Sequence, residues 1–115
     1  MRLMCKSKIH RARVTKVDVH YEGSIGIDAA LLRKADILPY EMVQVVNVNT
    51  GARFETYAIK ERSGSGAVAL YGGAARLGKI GDILILLSYT MVNEVAAKKI
   101  RPTVVRVDSR NAIKR

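Results

Sequence analysis

The stretch "HYEGSIGID", His20–Asp28, places a Gly-Ser pair between a predicted strand and a predicted helix. Alternating apolar residues in "RVTKVDVHY" predict the strand before it. Asp28 is a suitable N-cap and predicts a helix over "DAALLRKADIL", which Pro39 would end. Taken alone, Gly23-Ser24 is typical of a turn.

Outward from this stretch, most of the chain has strand patterns. "MVQVVNV" and "RFETYAI" flank Asn49-Thr50-Gly51 and predict a hairpin, and "AVALY", "ILILLSY" and "TVVRVD" predict further strands. "NEVAAKK" predicts a short helix capped by Asn93. Six or so short strands with two small helices predict one mainly β domain over residues 1–115, a compact barrel or sandwich.

The composition excludes several classes of protein. A chain of 115 residues with 49% hydrophobic and 26% charged residues is typical of a folded globular domain. One cysteine excludes an intrachain disulfide, and two histidines without paired carboxylates predict no metal site. No apolar run approaches the roughly 20 residues of a membrane span, and the first residues do not resemble a signal peptide. We therefore expect a cytoplasmic protein without a membrane partner.

The net charge of +10 is concentrated at the two ends of the chain. Residues 1–16 carry six Lys/Arg and no acid, residues 98–115 carry seven against Asp108 alone, and residues 17–97 are slightly acidic. Such ends are typical of chains that bind phosphate backbones, of proteins that attract an anionic small substrate, and of simple solvated termini.

The Gly-Ser pair also has a reactive interpretation. The hydroxyl of Ser24 could attack the Gly23 carbonyl and convert the amide into an ester, because glycine permits the unusual backbone this requires. β-Elimination from the ester would leave dehydroalanine, and hydrolysis would then give a pyruvoyl group. Such a ketone forms a Schiff base with an amine and accepts electrons.

Other side chains are candidates for substrate binding. Lys8 and Arg53 could bind a carboxylate, Arg53 with a bidentate fork. Tyr57 follows Arg53 by four residues, so on a regular strand both side chains share a face, about 13 Å apart. Thr56 would then point to the other face. "LYGGAA" lacks the spacing of a phosphate loop or dinucleotide fingerprint.

Together these motifs indicate a protein family more specifically than any one of them does alone. "SKIHRARVT", "HYEGSIGID", "NVNTGARFETYAI", "GGAARLGKIGDILIL" and "KKIRPTVVRVD", in this order, resemble the pyruvoyl-dependent aspartate 1-decarboxylases over nearly the whole chain. The family pattern has a Lys-x-His-Arg start, a Tyr-x-Gly-Ser cleavage site and an Asn-Gly-x-Arg-x-x-Thr-Tyr hairpin. The resemblance implies a double-psi β-barrel, a homotetramer with active sites between subunits, and conversion of L-aspartate to β-alanine and CO2 for pantothenate and coenzyme A synthesis.

The resemblance also implies self-processing. The chain would be cut between Gly23 and Ser24, giving a β chain of residues 1–23 and an α chain of residues 24–115. The α chain would begin with a covalently bound pyruvoyl group derived from Ser24, which would form the Schiff base with the substrate.

Matching positions carry over the family's site residues. Arg53 would bind a substrate carboxylate with Lys8 beside it, Tyr57 would be the proton donor, and Thr56 would assist processing by hydrogen-bonding the Gly23 carbonyl. Further substrate contacts are expected at Gly72, Gly73 and Ala74, and residues near the site are His10, Tyr21 and Tyr71.

One position departs from the family pattern. The family usually has Asn-Gly-Ala-Ala-Ala where this chain reads Tyr71-Gly72-Gly73-Ala74-Ala75. The larger Tyr71 either turns its ring outward, slows processing or changes the fit of the substrate.

Two alternatives therefore stay open beside the self-cleaving enzyme. One is a small basic β-domain that binds DNA, like the swapped-hairpin transition-state regulators. The near-neutral middle and the few aromatic residues make nucleic acid the less favoured partner. The other is a processing-deficient structural homologue.

Overall fold

A computed structural model describes residues 1–115, and it is mainly β with short helices, as predicted. No helix combines the length and the apolar character needed to cross a membrane. The strands are β1 Arg2–Arg13, β2 Lys16–Asp18, β3 Ser24–Asp28, β4 Met42–Asn47, β5 Arg53–Glu61, β6 Val68–Tyr71, β7 Ile83–Val92 and β8 Thr103–Arg106. The helices are α1 Ala29–Ala35, α2 Glu94–Ala97 and a 3₁₀ helix, Gly72–Leu77.

The eight strands form one sheet in the order β2-β6-β3-β5-β4-β7-β1-β8. β3 runs parallel to β5 and antiparallel to β6, and the pairs β1–β8 and β2–β6 are also parallel. Side chains from the strands, from α1, from the 3₁₀ helix and from a few loop positions form a single core of 20 buried residues. This mixed sheet around one core is consistent with the predicted barrel.

The longest strand, β1, was not among the predicted elements. It pairs with β7 along most of its length and with β8 near its middle. Its sequence lacks clear apolar alternation because charged residues cover its outer face and one buried position is Ser7, which is 0% exposed. Long-range pairing therefore forms a strand that the local pattern does not indicate.

Helix α1 begins where the sequence predicts and ends earlier. The Asp28 side chain accepts a hydrogen bond from the Ala30 N–H at 2.8 Å, which confirms the N-cap. The helix ends at Ala35, followed by Asp36 in the left-handed conformation (φ 56°). The prediction that Pro39 ends the helix is wrong, because the C-cap at Asp36 closes it first.

The predicted hairpin is confirmed, and it connects β4 to β5. The two strands pair in antiparallel register, and Gly51 in the turn has a φ of 80° that favours glycine. The hairpin brings β5 alongside β3.

The Gly-Ser pair does not lie between a strand and a helix. Ser24 is the first residue of β3, and all five residues of β3 are buried. The pair therefore joins an exposed turn to a buried strand. The sequence did not predict this strand because a strand buried on both faces shows no alternation of apolar and polar residues.

Candidate active site

The Gly23–Ser24 bond lies at the boundary between solvent and core. Ser24 is only 1% exposed, whereas Gly23 is exposed and has nothing within 4 Å of the position its Cβ would take. The Ser24 hydroxyl donates a hydrogen bond to the Glu22 carbonyl at 2.9 Å. The nitrogen side of the bond is thus held by a strand, and the carbonyl side belongs to an accessible turn.

Strand pairing brings Tyr57 close to Ser24. β3 and β5 are parallel, with Ile25 beside Ala58. The next residues before this pair are Ser24, the first residue of β3, and Tyr57 of β5, whereas Gly23 lies before β3 begins. Because paired residues of neighbouring strands share a face, the side chains of Ser24 and Tyr57 lie on the same side of the sheet.

The Tyr57 side chain lies beside a second tyrosine. Its ring packs near that of Tyr40, with 6.1 Å between centroids and 38° between planes, and its hydroxyl has no hydrogen-bond partner within the chain. Thr56 shares its face with the buried Ala58 and makes no side-chain hydrogen bond to Gly23 here. The roles of both residues at the bond, and the expected Thr56 contact with Gly23, stay predictions.

Tyr71 lies on the other side of Ser24 and is anchored by its hydroxyl. Its ring lies 4.8 Å from that of Tyr21, and its hydroxyl donates to the Glu61 carboxylate at 2.9 Å. Burial, followed by this carboxylate, raises the pKa of Tyr71 to about 12, so the phenol keeps its proton. Gly26 makes the arrangement possible, because a Cβ there would collide with the Glu61 carboxylate. Lys16 approaches the same ring at 5.5 Å from the centroid.

This anchoring excludes the first of the three outcomes expected for Tyr71, an outward-turned ring. The ring is buried, at 6% exposure, so it does not turn outward. It packs instead on Tyr21, two residues before the Gly23–Ser24 bond. The sequence did not indicate the roles of Glu61 and Gly26. The one available signal was Gly26 itself, because a glycine inside a strand often marks the close approach of another group.

Gly72 fits closely against the same turn. It has a φ of 64°, and a Cβ on it would come within 2.6 Å of the Gly23 Cα and 2.7 Å of the Gly23 nitrogen. Only glycine combines this conformation with this approach. Gly73 is exposed and open around its Cα, whereas Ala74 is 8% exposed and belongs to the core.

We expect Gly72→Ala to lower the free energy of unfolding by about 3 kcal/mol, from left-handed strain together with overpacking. Urea unfolding in a Ser24→Ala background measures this on uniformly uncut chains. Gly73→Ala is the matched control and should change the value by about 1 kcal/mol or less. Equal effects of the two substitutions would contradict the close fit.

The carboxylate-binding candidates lie apart from Ser24 within one chain. Arg53 is exposed at the far end of β5, paired with Val46 and free of any ion pair. Lys8 lies on β1, four places from β3 in the order of the sheet. His10, also on β1, lines a separate basic pocket. Within one chain the structure therefore places Tyr71 and Gly72 against Ser24 and Gly23, with Tyr21 packed on Tyr71 and Tyr57 next in register to Ser24, and it puts Arg53, Lys8 and His10 on other parts of the sheet.

Comparison with known proteins identifies the family of this chain. A sequence model described as aspartate decarboxylase matches residues 1–114. The aspartate 1-decarboxylase of Syntrophus aciditrophicus (strain SB) is 55% identical over 113 residues, covering 98% of this chain and 97% of that protein. The enzyme of the same name from Thermoanaerobacter pseudethanolicus (strain ATCC 33223 / 39E) is 53% identical over 110 residues, covering 96% and 94%. With near-complete coverage in both directions, the chain belongs to the aspartate decarboxylase family.

Proposed function

We propose that this protein is a self-cleaving aspartate 1-decarboxylase that converts L-aspartate to β-alanine and CO2. Family membership supports the reaction class, and relatives named for this activity share more than half of the sequence. The observation that carries the proposal is Ser24, 1% exposed at the start of β3, directly after an exposed glycine and beside Tyr57. The DNA-binding alternative is not favoured.

Processing begins at the Ser24 hydroxyl. This oxygen leaves the Glu22 carbonyl, which it contacts at 2.9 Å, and attacks the Gly23 carbonyl carbon, so a C–O bond replaces the C–N bond. Elimination then breaks the Ser24 Cβ–Oγ bond, takes the Cα proton and releases Gly23 as a carboxylate. Water converts the resulting dehydroalanine to pyruvoyl and frees ammonia. The products are residues 1–23 and 24–115.

The surroundings of Ser24 fit a pyruvoyl group. The group is no larger than the serine it replaces, and the close approach of Gly72 to Gly23 keeps side chains away from this turn. A pyruvoyl group there supplies a ketone that takes up the substrate amine and accepts the electrons released with CO2.

Tyr57 then supplies the proton. Its hydroxyl is free of hydrogen bonds within the chain, and its side chain is on the same face as Ser24. We assign to it the transfer of a proton from Oη to the carbon that loses CO2. Tyr71 cannot replace it in this role, because its hydroxyl is committed to Glu61 and its pKa is raised to about 12.

The carboxylate-binding part of the site is completed by a second copy of the chain. Arg53 and Lys8 carry unpaired charge but lie away from Ser24 of their own chain, as expected for active sites between subunits of a homotetramer. Apolar residues left exposed on the paired ends of β1 and β7 support assembly, among them Leu3 at 64% and Met91 at 53%. An assembled enzyme in the cytoplasm, supplying β-alanine for pantothenate and coenzyme A synthesis, is consistent with these features.

Intact-mass analysis and a denaturing gel of the purified protein test the proposal. We expect two fragments split at Gly23/Ser24, with a blocked N-terminus on the larger one. A chain that stays at full length after prolonged warm incubation would instead identify a processing-deficient homologue. Decarboxylation is measured on the same sample as β-alanine formed from L-aspartate.

A further inference from the structure

The two basic ends of the chain meet in space, and the proposed decarboxylation does not account for this. β1, near the N-terminus, pairs in parallel with β8, near the C-terminus, so that His10 lies beside Arg106. A cavity of about 170 Å³ opens at this junction. Its lining is almost entirely polar: His10, Arg11, Arg13, Arg106, Val107, Asp108, Ser109 and Lys114.

A β-bulge in β1 supplies two of the lining side chains. The register with β7 shifts between His10 and Ala12, and Arg11 at the shift has a φ of 69°. On a regular strand His10 and Arg11 would point to opposite faces, whereas at the bulge both line the cavity. A left-handed arginine carries backbone strain, and strain of this kind concentrates at functional sites.

The C-terminal tail supplies the opposite wall. Val107 bridges to Ile113, and the Lys114 N–H donates to the Arg106 carbonyl at 2.8 Å, which returns Lys114 to Arg106. The fold therefore holds the backbone of the tail in place, while its basic side chains stay exposed.

Buried Asn111 fastens this tail to β1. It is 1% exposed and left-handed (φ 62°). Its side chain accepts from the Arg13 N–H at 2.8 Å and donates to the Arg13 carbonyl at 2.9 Å and the Gly66 carbonyl at 2.8 Å. Asn111 therefore fixes the backbone of the tail against β1 and against the turn at Gly66.

The charges of the cavity are uncompensated. Its four Lys/Arg side chains form no ion pair, because the two ion pairs of the chain, Arg2–Glu94 and Lys6–Glu41, lie elsewhere. The one carboxylate, of Asp108, already accepts backbone hydrogen bonds from the turn that follows it. The cavity thus has an excess of positive charge and of free donors.

His10 contributes an unpartnered polar atom. Its Nδ1 is buried and has no hydrogen-bond partner. Burial lowers the pKa of His10, and the neighbouring cationic side chains, Lys8 first among them, lower it further. An anion in the cavity would supply a hydrogen-bond partner for Nδ1. Its negative charge would also raise the lowered pKa of His10.

We propose that this cavity binds a phosphate group of a small anionic molecule, at a site that does not include the Gly23–Ser24 bond of the same chain. Guanidinium groups bind phosphate oxygens through paired charge-assisted hydrogen bonds. The volume is below the roughly 300 to 1,000 Å³ of sites that enclose drug-sized ligands, so it suits one phosphate group better than a whole nucleotide. The proposal does not depend on self-cleavage or on decarboxylation.

The proposal is tested by NMR of the histidine side chains in the purified protein with all of its residues 1–115 present, cut or uncut. Inorganic phosphate is titrated in at constant ionic strength. We expect saturable shifts and a raised pKa for His10, with no change at the exposed His20. Arg106→Ala should weaken phosphate binding about tenfold or more, through loss of a charge-assisted contact. Lys114→Ala is a second variant in case the first fails to fold.

Arg101→Ala is the matched control, because it removes the same charge from an exposed position outside the cavity, and it should leave binding unchanged. Succinate, a dicarboxylate without an amine, should bind at least tenfold more weakly than phosphate. No saturable shift at His10, equal losses in Arg106→Ala and Arg101→Ala, equal binding of succinate, or tighter binding of duplex DNA than of phosphate would each overturn the proposal.

Discussion

Ser24→Ala is expected to leave the chain at full length and to reduce decarboxylation to background. Without the hydroxyl, no atom of the chain can attack the Gly23 carbonyl, and no ketone forms at position 24. Intact mass gives the extent of cleavage, and β-alanine formation from L-aspartate gives the activity. Removal of one hydroxyl from a strand leaves the fold intact, so thermal unfolding should remain cooperative.

Ser7→Ala is the matched control for this change. Ser7 is also a buried strand serine, at 0% exposure, and its hydroxyl has no hydrogen-bond partner. Its loss should therefore affect neither cleavage nor activity. Cleavage of Ser24→Ala at the Gly23 position, or equal losses in both variants, would show that processing does not depend on the Ser24 hydroxyl.

Tyr57→Phe should separate processing from catalysis. Self-cleavage uses Ser24 and should proceed, whereas decarboxylation should fall by a factor of about 10² to 10⁴, the usual contribution of a positioned proton donor. Stability should hardly change, because the Tyr57 hydroxyl has no partner to lose. The measurements are intact mass, steady-state β-alanine formation and thermal unfolding of the cleaved protein.

Tyr40→Phe is the control for loss of a nearby phenol. The Tyr40 ring lies 6.1 Å from that of Tyr57 but is 78% exposed. We expect nearly unchanged activity. If Tyr57→Phe kept activity within a few fold of the wild type, or failed to cleave, the assignment of Tyr57 as proton donor would be refuted.

Much of the local structure could be predicted from the sequence. The N-cap of α1 at Asp28 and the hairpin between β4 and β5 follow from neighbouring residues. Both depend on interactions within a few residues, so one short stretch contains the whole cause. The motif order likewise placed Thr56 and Tyr57 near Ser24, and the parallel pairing of β3 with β5 agrees with it.

Other features depend on partners that are distant in the chain. β1 forms because β7 and β8 pair with it, and its own residues give no clear alternation. The anchoring of Tyr71 requires a carboxylate ten residues away and the space above Gly26. No pattern in the sequence connects these positions.

The sequence by itself determined the family, because its motifs are short and stand in a fixed order, and from the family it predicts the reactive bond and the residues beside it. Only the tertiary structure decided that Gly23–Ser24 joins an exposed turn to a buried strand. It also showed that Tyr71 packs inward, and that the two basic ends build one cavity. The physical reason is that burial, charge clustering and close backbone approach depend on which distant segments the sheet brings together.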